Sequence, residues 1–212
     1  GDGSDREVVV VAENLLDDPA VGAVIISIAD SAEFGRIETL ATQNTTILEQ
    51  IALDTPIEDT LDAIARWLDQ QIPGGRCAVL LVDDETFRLA AAPSLDPVHS
   101  VALAGISVHD PGFMAAAAWG RSEALVISTL PNGELATSSG VAAALDAQAC
   151  WSVPIAHARG EAACGTIDVH HRDAVHPRPE EWSSLLLGAR LAALAIESDR
   201  RRADLEHRAA YD

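Results

Sequence analysis

Ser152, Thr166, Asp168 and His170 are the residues of this chain best placed to do chemistry. They fall at alternate positions of one stretch, CWSVPIAHARGEAACGTIDVHHRD, residues 150–173. Trp151, Val153 and Ile155 alternate with Cys150, Ser152 and Pro154, and Ile167 and Val169 alternate with Thr166, Asp168 and His170. Period-two patterning on both sides of a Gly-bearing turn at Arg159-Gly160-Glu161 predicts a hairpin. One face is apolar and suits packing on helices. The other carries the four polar residues, and either meets water or lines a cavity. A carboxylate at Asp168 is costly on an inner face unless paired or solvated. If there is a cavity, Phe113, Met114 and Trp119 are its natural apolar lids; otherwise they are ordinary helix–sheet packing residues.

Other chemistry finds less support. No Gly-rich phosphate loop and no H-E-x-x-H motif occur, and Gly133 and Ser138-Ser139-Gly140 lack G-x-S-x-G spacing. No catalytic residue is expected. The chain has seven histidines, but adjacent His170 and His171 on a strand point to opposite faces and cannot chelate together. No metal site is expected. His170 is either a haem ligand or a partly buried, satisfied histidine. Cys77, Cys150 and Cys164 are odd in number without a C-x-x-C, which points to a reducing, cytoplasmic setting. On strands they read as small inert hydrophobes. The formal net charge of −19 disfavours nucleic acid and anionic lipid, while leaving small anions open, since a pocket can differ from the surface around it. No apolar run approaches the ~18 residues of a membrane span. A first residue of Gly rather than Met suggests a fragment of a longer protein.

Several elements must position these residues. Strands are expected at 7–12 and 23–28, joined by a turn-rich connector at 14–19, and a helix over 31–53. In that helix Ile37, Leu40, Asn44, Ile47 and Ile51 recur at heptad spacing, either as a parallel dimer seam with a register-fixing Asn or as a face packed on the chain's own domain. Thr55-Pro56-Ile57-Glu58 reads as a capping box opening a helix to about Gln71, with Ile57, Leu61, Ile64 and Leu68 on one stripe. Strands at 77–82 and 86–92 follow. An irregular middle holds a short helix near 98–103, and a helix is expected at 113–119, ending at Gly120. Next come a strand at 124–128, a helix at 141–147 and the hairpin. A long helix over 179–207 carries Leu187, Leu191 and Leu194 on a second dimer-type line. This order fits an α+β fold, an antiparallel sheet with helices bundled on one face and the irregular middle over the other.

Three stretches carry family resemblances. Asp2-Gly3-Ser4, the Asn-Leu-Leu-Asp-Asp-Pro connector at 14–19, Asp30 and Glu33 resemble the last two strands and exit of a PAS sensor domain, with Ala32 where that family usually has Thr. Residues 47–196 resemble a GAF domain, most closely those preceding GGDEF diguanylate cyclase domains. That likeness rests on CAVLLVDD at 77–84, AAPSL at 91–95, ACWSVPI at 149–155 and Gly165-Thr166 leading to His170-His171-Arg172. Residues 203–212, with an L-x-H-x-A-x-x-D run, resemble the lead-in to a GGDEF domain. The resemblance implies about six antiparallel strands, long N- and C-terminal helices on one face, and a cavity under loops and short helices on the other. It divides the chain into truncated PAS strands (1–30), a signalling helix (31–54), a GAF domain (55–197) and a linker to a GGDEF domain (198–212). It implies a non-catalytic sensory module of a cyclic-di-GMP signalling protein. Ligand or conformational input would pass through dimeric helices to a covalently linked cyclase, with no cofactor beyond an unknown small molecule. A ligand-free dimerisation spacer, a haem or redox sensor and the sensor part of a histidine kinase are alternatives. Relatives usually carry aromatics at 170 and 171, and a Gly-rich turn with Ser and Cys at 110–117. Ligands are therefore expected to differ here.

Overall fold

The computed structural model describes residues 8–15, 23–30, 45–53, 55–128, 145–156 and 162–211. The chain divides into two compact units, Gly1–Thr46 and Ile47–Asp212. In the first, β1 (Val8–Leu15) and β2 (Ala23–Asp30) pair antiparallel, with Val8 opposite Asp30 and Leu15 opposite Ala23. Both strands run longer than expected, and β1 takes in Asn14. Ladder pairing overrides the local turn preference of Asn. Ile37, Leu40 and Asn44 of the expected seam lie outside the described residues.

The second unit begins with helical residues 47–52, the part of α1 (45–52) that lies within it, and α2 (Ile57–Gln71). Leu61, Ile64 and Leu68 are buried on one stripe of α2, as their spacing requires. The expected capping box does not form. Pro56, extended at φ −48 and ψ 138, is itself the N-cap residue, with no side-chain cap hydrogen bond. That leaves Thr55 one residue too early to reach the first turn. Glu58 and Asp59 there complement the helix dipole instead.

Six strands form one antiparallel sheet in the order β5-β4-β3-β8-β7-β6. They are β3 (Gly75–Asp83), β4 (Thr86–Ala91), β5 (Ile106–Ser107), β6 (Leu125–Ile127), β7 (Ala149–Ile155) and β8 (Gly165–His171). The last of these in sequence, β8, is inserted between β3 and β7 and pairs with both. A Cβ on Gly165 would stand 2.1 Å from the Leu80 carbonyl oxygen, so this close strand approach requires glycine. The expected pairing of residues 150–155 with 165–171 is present, whereas the turn at 159–161 lies outside the described residues.

The final helix α5 (Pro179–Tyr211) packs with α2 on one face of the sheet. A Cβ on Gly188 would meet Leu68 Cδ1 at 2.8 Å, so the two helices approach closely at that point. The other face is covered by α3 (Pro97–Leu103), against β4, and α4 (Met114–Arg121), against β7 and β8. Helix α4 runs one residue past Gly120 and stops where Ser122 turns left-handed, at φ 53. The helix expected over 141–147 is corrected where the chain is described. Residues 145 and 146 form a turn with Asp146 at φ 49, so the Ala-rich composition gives way to the entry into β7. The architecture is otherwise the α+β arrangement expected, with the core split between the two faces.

Candidate functional site

The register of β8 decides what its polar side chains meet. Asp168 lies opposite Ser152 of β7 and Ala78 of β3, and Thr166 opposite Pro154 and Leu80. His170 lies opposite Cys150 and Arg76. Directly opposed residues share a face, so these groups converge beneath α4. Ser152, Thr166 and Asp168 are 0% exposed and His170 3%. The polar face is therefore interior, and the alternative of a solvent-washed strip is excluded. Around it lie Ala78, Leu80, Phe87, Phe113 and Leu145, members of one buried apolar cluster.

A carboxyl group in this setting behaves unusually. Ser152 Oγ donates to Asp168 Oδ1 at 2.6 Å. Asp168 Oδ2, Thr166 Oγ1 and His170 Nε2 are buried without a hydrogen-bond partner. Burial pushes the Asp168 carboxyl up to about 7. The Ser152 hydrogen bond, and the Thr166 hydroxyl nearby but outside bonding geometry, offset part of that rise. Burial, then the Arg76 charge and then His171, lower His170 to about 3. At neutral pH His170 is uncharged and Asp168 sits near its midpoint, so the two are not an ion pair. Each orphaned polar atom costs about 1–3 kcal/mol until something completes its hydrogen bonding. A hydrogen-bonding partner at these atoms, or a proton held at Asp168, would relieve that cost.

The three expected lids take different places. Phe113 is 3% exposed and meets Phe87 edge-on at 5.5 Å, and Met114 is also buried. Phe113 packs helix against sheet in the buried apolar cluster. Half-buried Trp119 packs against the same apolar cluster, and its Nε1 donates to the Ala163 carbonyl at 2.6 Å, tying α4 to the lead-in of β8. The sequence reading missed Arg76, whose charge lies opposite His170. The alternation of β3 extended back two residues from Ala78 carries that signal. Burial pushes the Cys77 and Cys150 thiols well up, so neither is a ready thiolate. Among the described residues no group of three or more His, Cys, Asp or Glu side chains is placed to hold a metal.

The expected dimer residues divide. Ile47 is 3% exposed and Leu191 4% within one chain, so neither is available as an exposed seam residue. Ile51 and Leu187 are half-buried. Leu194 is 50% exposed, and with Leu186 of α5 and Val153 and Pro154 of β7 it lines a groove of about 530 Å³. The correction has a geometric cause. The buried face of α5 is centred on Leu185, Gly188, Ala192 and Ala195, and the 187–191–194 row follows its border. No helix among the described residues is long and apolar enough to cross a membrane.

Comparisons with known proteins agree with this geometry. The GAF domain family model matches residues 56–196. The methyl sulfide methyltransferase-associated sensor of Methanosarcina acetivorans is 30% identical over 163 residues, covering 76% of this chain but only 16% of that protein. The GAF domain of an Acinetobacter phosphoenolpyruvate-protein phosphotransferase superposes with a TM-score of 0.58 at 15% identity, over 77% of this chain and 95% of that one. The GAF domain of a two-component sensor histidine kinase from Bacillus halodurans superposes with a TM-score of 0.53 at 16% identity, over 66% and 92%. With a six-stranded sheet of the same fold and a family match along most of its length, the chain belongs to the GAF domain family, whose domains are sensory modules of signalling proteins.

Proposed function

We propose that this chain is the non-catalytic sensory part of a cytoplasmic cyclic-di-GMP signalling protein. Its GAF domain receives a small molecule, or a proton, on the Asp168 face. A homodimer built on the terminal helices passes the input to a covalently linked GGDEF diguanylate cyclase domain, and residues 1–30 close a PAS domain. The observation that carries the sensory reading is the buried Asp168 carboxyl, with Oδ2, Thr166 Oγ1 and His170 Nε2 all lacking partners beneath α4. A hydrogen-bonding partner brought to these atoms would recover that cost. The cyclase output rests on the L-x-H-x-A-x-x-D run in residues 203–212. The acidic charge supports neither nucleic-acid nor membrane-surface binding.

The test is a thermal-shift screen of the chain with cyclic nucleotides and small metabolites, run beside Asp168→Asn and Ser152→Ala. A shift in the parent chain that both variants lose supports the ligand site. No shift with any compound, together with a tight dimer and no response to pH, leaves a structural spacer. A strong Soret band in the purified protein, lost on changing His170, replaces the small-molecule reading with a haem sensor. A histidine-kinase output is the second reading, favoured by the likeness to the GAF domain of the Bacillus halodurans two-component kinase. Product analysis of the longer parent separates the two, since one output consumes GTP and the other autophosphorylates from ATP.

A further inference from the structure

A cavity lies at the end of the sheet where β3 begins and β8 finishes. Its volume is about 730 Å³, within the range of small-molecule sites. Its walls come from three distant stretches. Arg76, Ser94 and His99 line it together with Trp151 and His171 of the sheet and the connector residues from Arg172 to Arg178. The two sheet residues are held in place. The Trp151 and His171 rings meet at 4.4 Å between centroids, and Trp151 Nε1 donates to the Val175 carbonyl at 3.4 Å.

The charges at this cavity are unequally committed. Of its three carboxylates, Glu181 accepts three hydrogen bonds from Arg178, at 2.7, 2.8 and 2.9 Å. Asp96 caps α3 through His99 N at 3.0 Å and pairs with His99 Nδ1 at 2.7 Å. Asp173 is exposed. The helix N-terminus of α5 is likewise occupied, by Glu181. The cations are freer. Arg76 Nη2 donates to the Leu145 carbonyl, a neutral partner, and Asp146 and Asp96 attract its charge from farther off. Among the described residues Arg172 pairs with Asp146 at 3.6 Å, with both side chains largely exposed. Burial, and then repulsion from Arg172, lower the Arg76 pKa, while attraction from Asp146 and then Asp96 offsets part of that fall.

We propose that this cavity is a second binding site, taking a small oxyanion, a carboxylate or a phosphate group, between the Arg76 and Arg172 guanidinium groups. Planar guanidinium forks match either oxyanion with paired N–H donors. The lining sets three arginines against three carboxylates, on a protein of net charge −19. An anion there would tether the β8–α5 connector to the start of β3, and so bear on the root of the long helix.

The experiment is calorimetric titration of the full chain with inorganic phosphate and, separately, with citrate, at constant ionic strength set by sodium chloride. Saturable binding tighter than about 1 mM to at least one probe is expected. A loss of at least tenfold is expected in Arg172→Gln, whose exposed side chain can change without harm to the fold. Arg76→Gln should weaken binding equally if its melting temperature stays near that of the parent. Preference between the probes tells phosphate from carboxylate. Asp168→Asn should bind both probes unchanged, which separates this site from the one beneath α4. Absence of saturable binding by either probe up to about 10 mM overturns the proposal. So does binding that survives Arg172→Gln undiminished.

Discussion

Replacing Asp168 with Asn tests the central electrostatic feature of the sheet directly. In the folded chain the carboxyl keeps its proton up to about pH 7, against 3.8 when unburied. That displacement corresponds to about 4 kcal/mol against the ionised form in the fold, an upper limit because water entry relaxes it. The folded pKa is raised, so its stabilising effect is complete below about pH 4 and is lost as pH rises through about 7. Between pH 5 and 8 the wild-type chain should lose about 3 kcal/mol that the neutral Asn variant does not. Ser152 Oγ still finds an acceptor on the Asn side chain, so the fold keeps that hydrogen bond. Urea unfolding of both proteins at several pH values reads the difference. In melting temperature it should reach roughly 6 °C or more by pH 8. Stability curves that run parallel within about 0.5 kcal/mol across this range would refute a buried, protonated Asp168.

Other changes probe separate parts of the molecule. Gly165→Ala should cost about 3 kcal/mol or prevent folding, because its Cβ meets backbone rather than a movable side chain; denaturant midpoints with an unchanged m-value would show it. Phe113→Ala should cost about 3–5 kcal/mol, since the ring is buried edge-on to Phe87, and a loss below 1 kcal/mol in chemical denaturation would contradict its core placement. Trp119→Phe should cost only about 1 kcal/mol, the hydrogen bond to Ala163, and speed amide exchange near residue 163. Leu194→Lys should leave melting almost unchanged yet produce monomers in sedimentation if α5 carries the dimer. Ile47→Lys cannot serve that purpose, because it would place a charge in the chain's own interior.

What the sequence disclosed, and what it hid, follows from the range of each interaction. The alternation of residues 150–155 and 166–170 placed each side chain on the correct face, since strand periodicity is local. Whether Asp168 met water was not local. It depended on α4, some fifty residues earlier, folding back over β7 and β8. The stripe of α2 was legible because one face did all the packing. The row of Leu187, Leu191 and Leu194 is unevenly exposed within one chain, because heptad spacing marks a line on a helix without saying which side of that line is buried. The cavity holding Arg76, His99 and Arg172 was invisible for another reason. Its residues share no motif and meet only because β8 inserts beside β3.

Helix α5 has a mechanical consequence. Its first half is held against α2 and the sheet, but nearly every described residue from 200 onward is exposed. Ion pairs within the helix, Arg201 to Glu197 and Arg202 to Asp199, are the visible support there. The segment from 197 to 211 is about 22 Å long, too short to hold helical form well alone, since starting a helix is the costly step and extending one is not. The docked half supplies the start. The projecting half is therefore a lever whose stiffness is set at its fulcrum. A tilt of about 5° at Gly188 moves a point 22 Å farther along by about 2 Å, and loosening the root softens the lever before it shifts it.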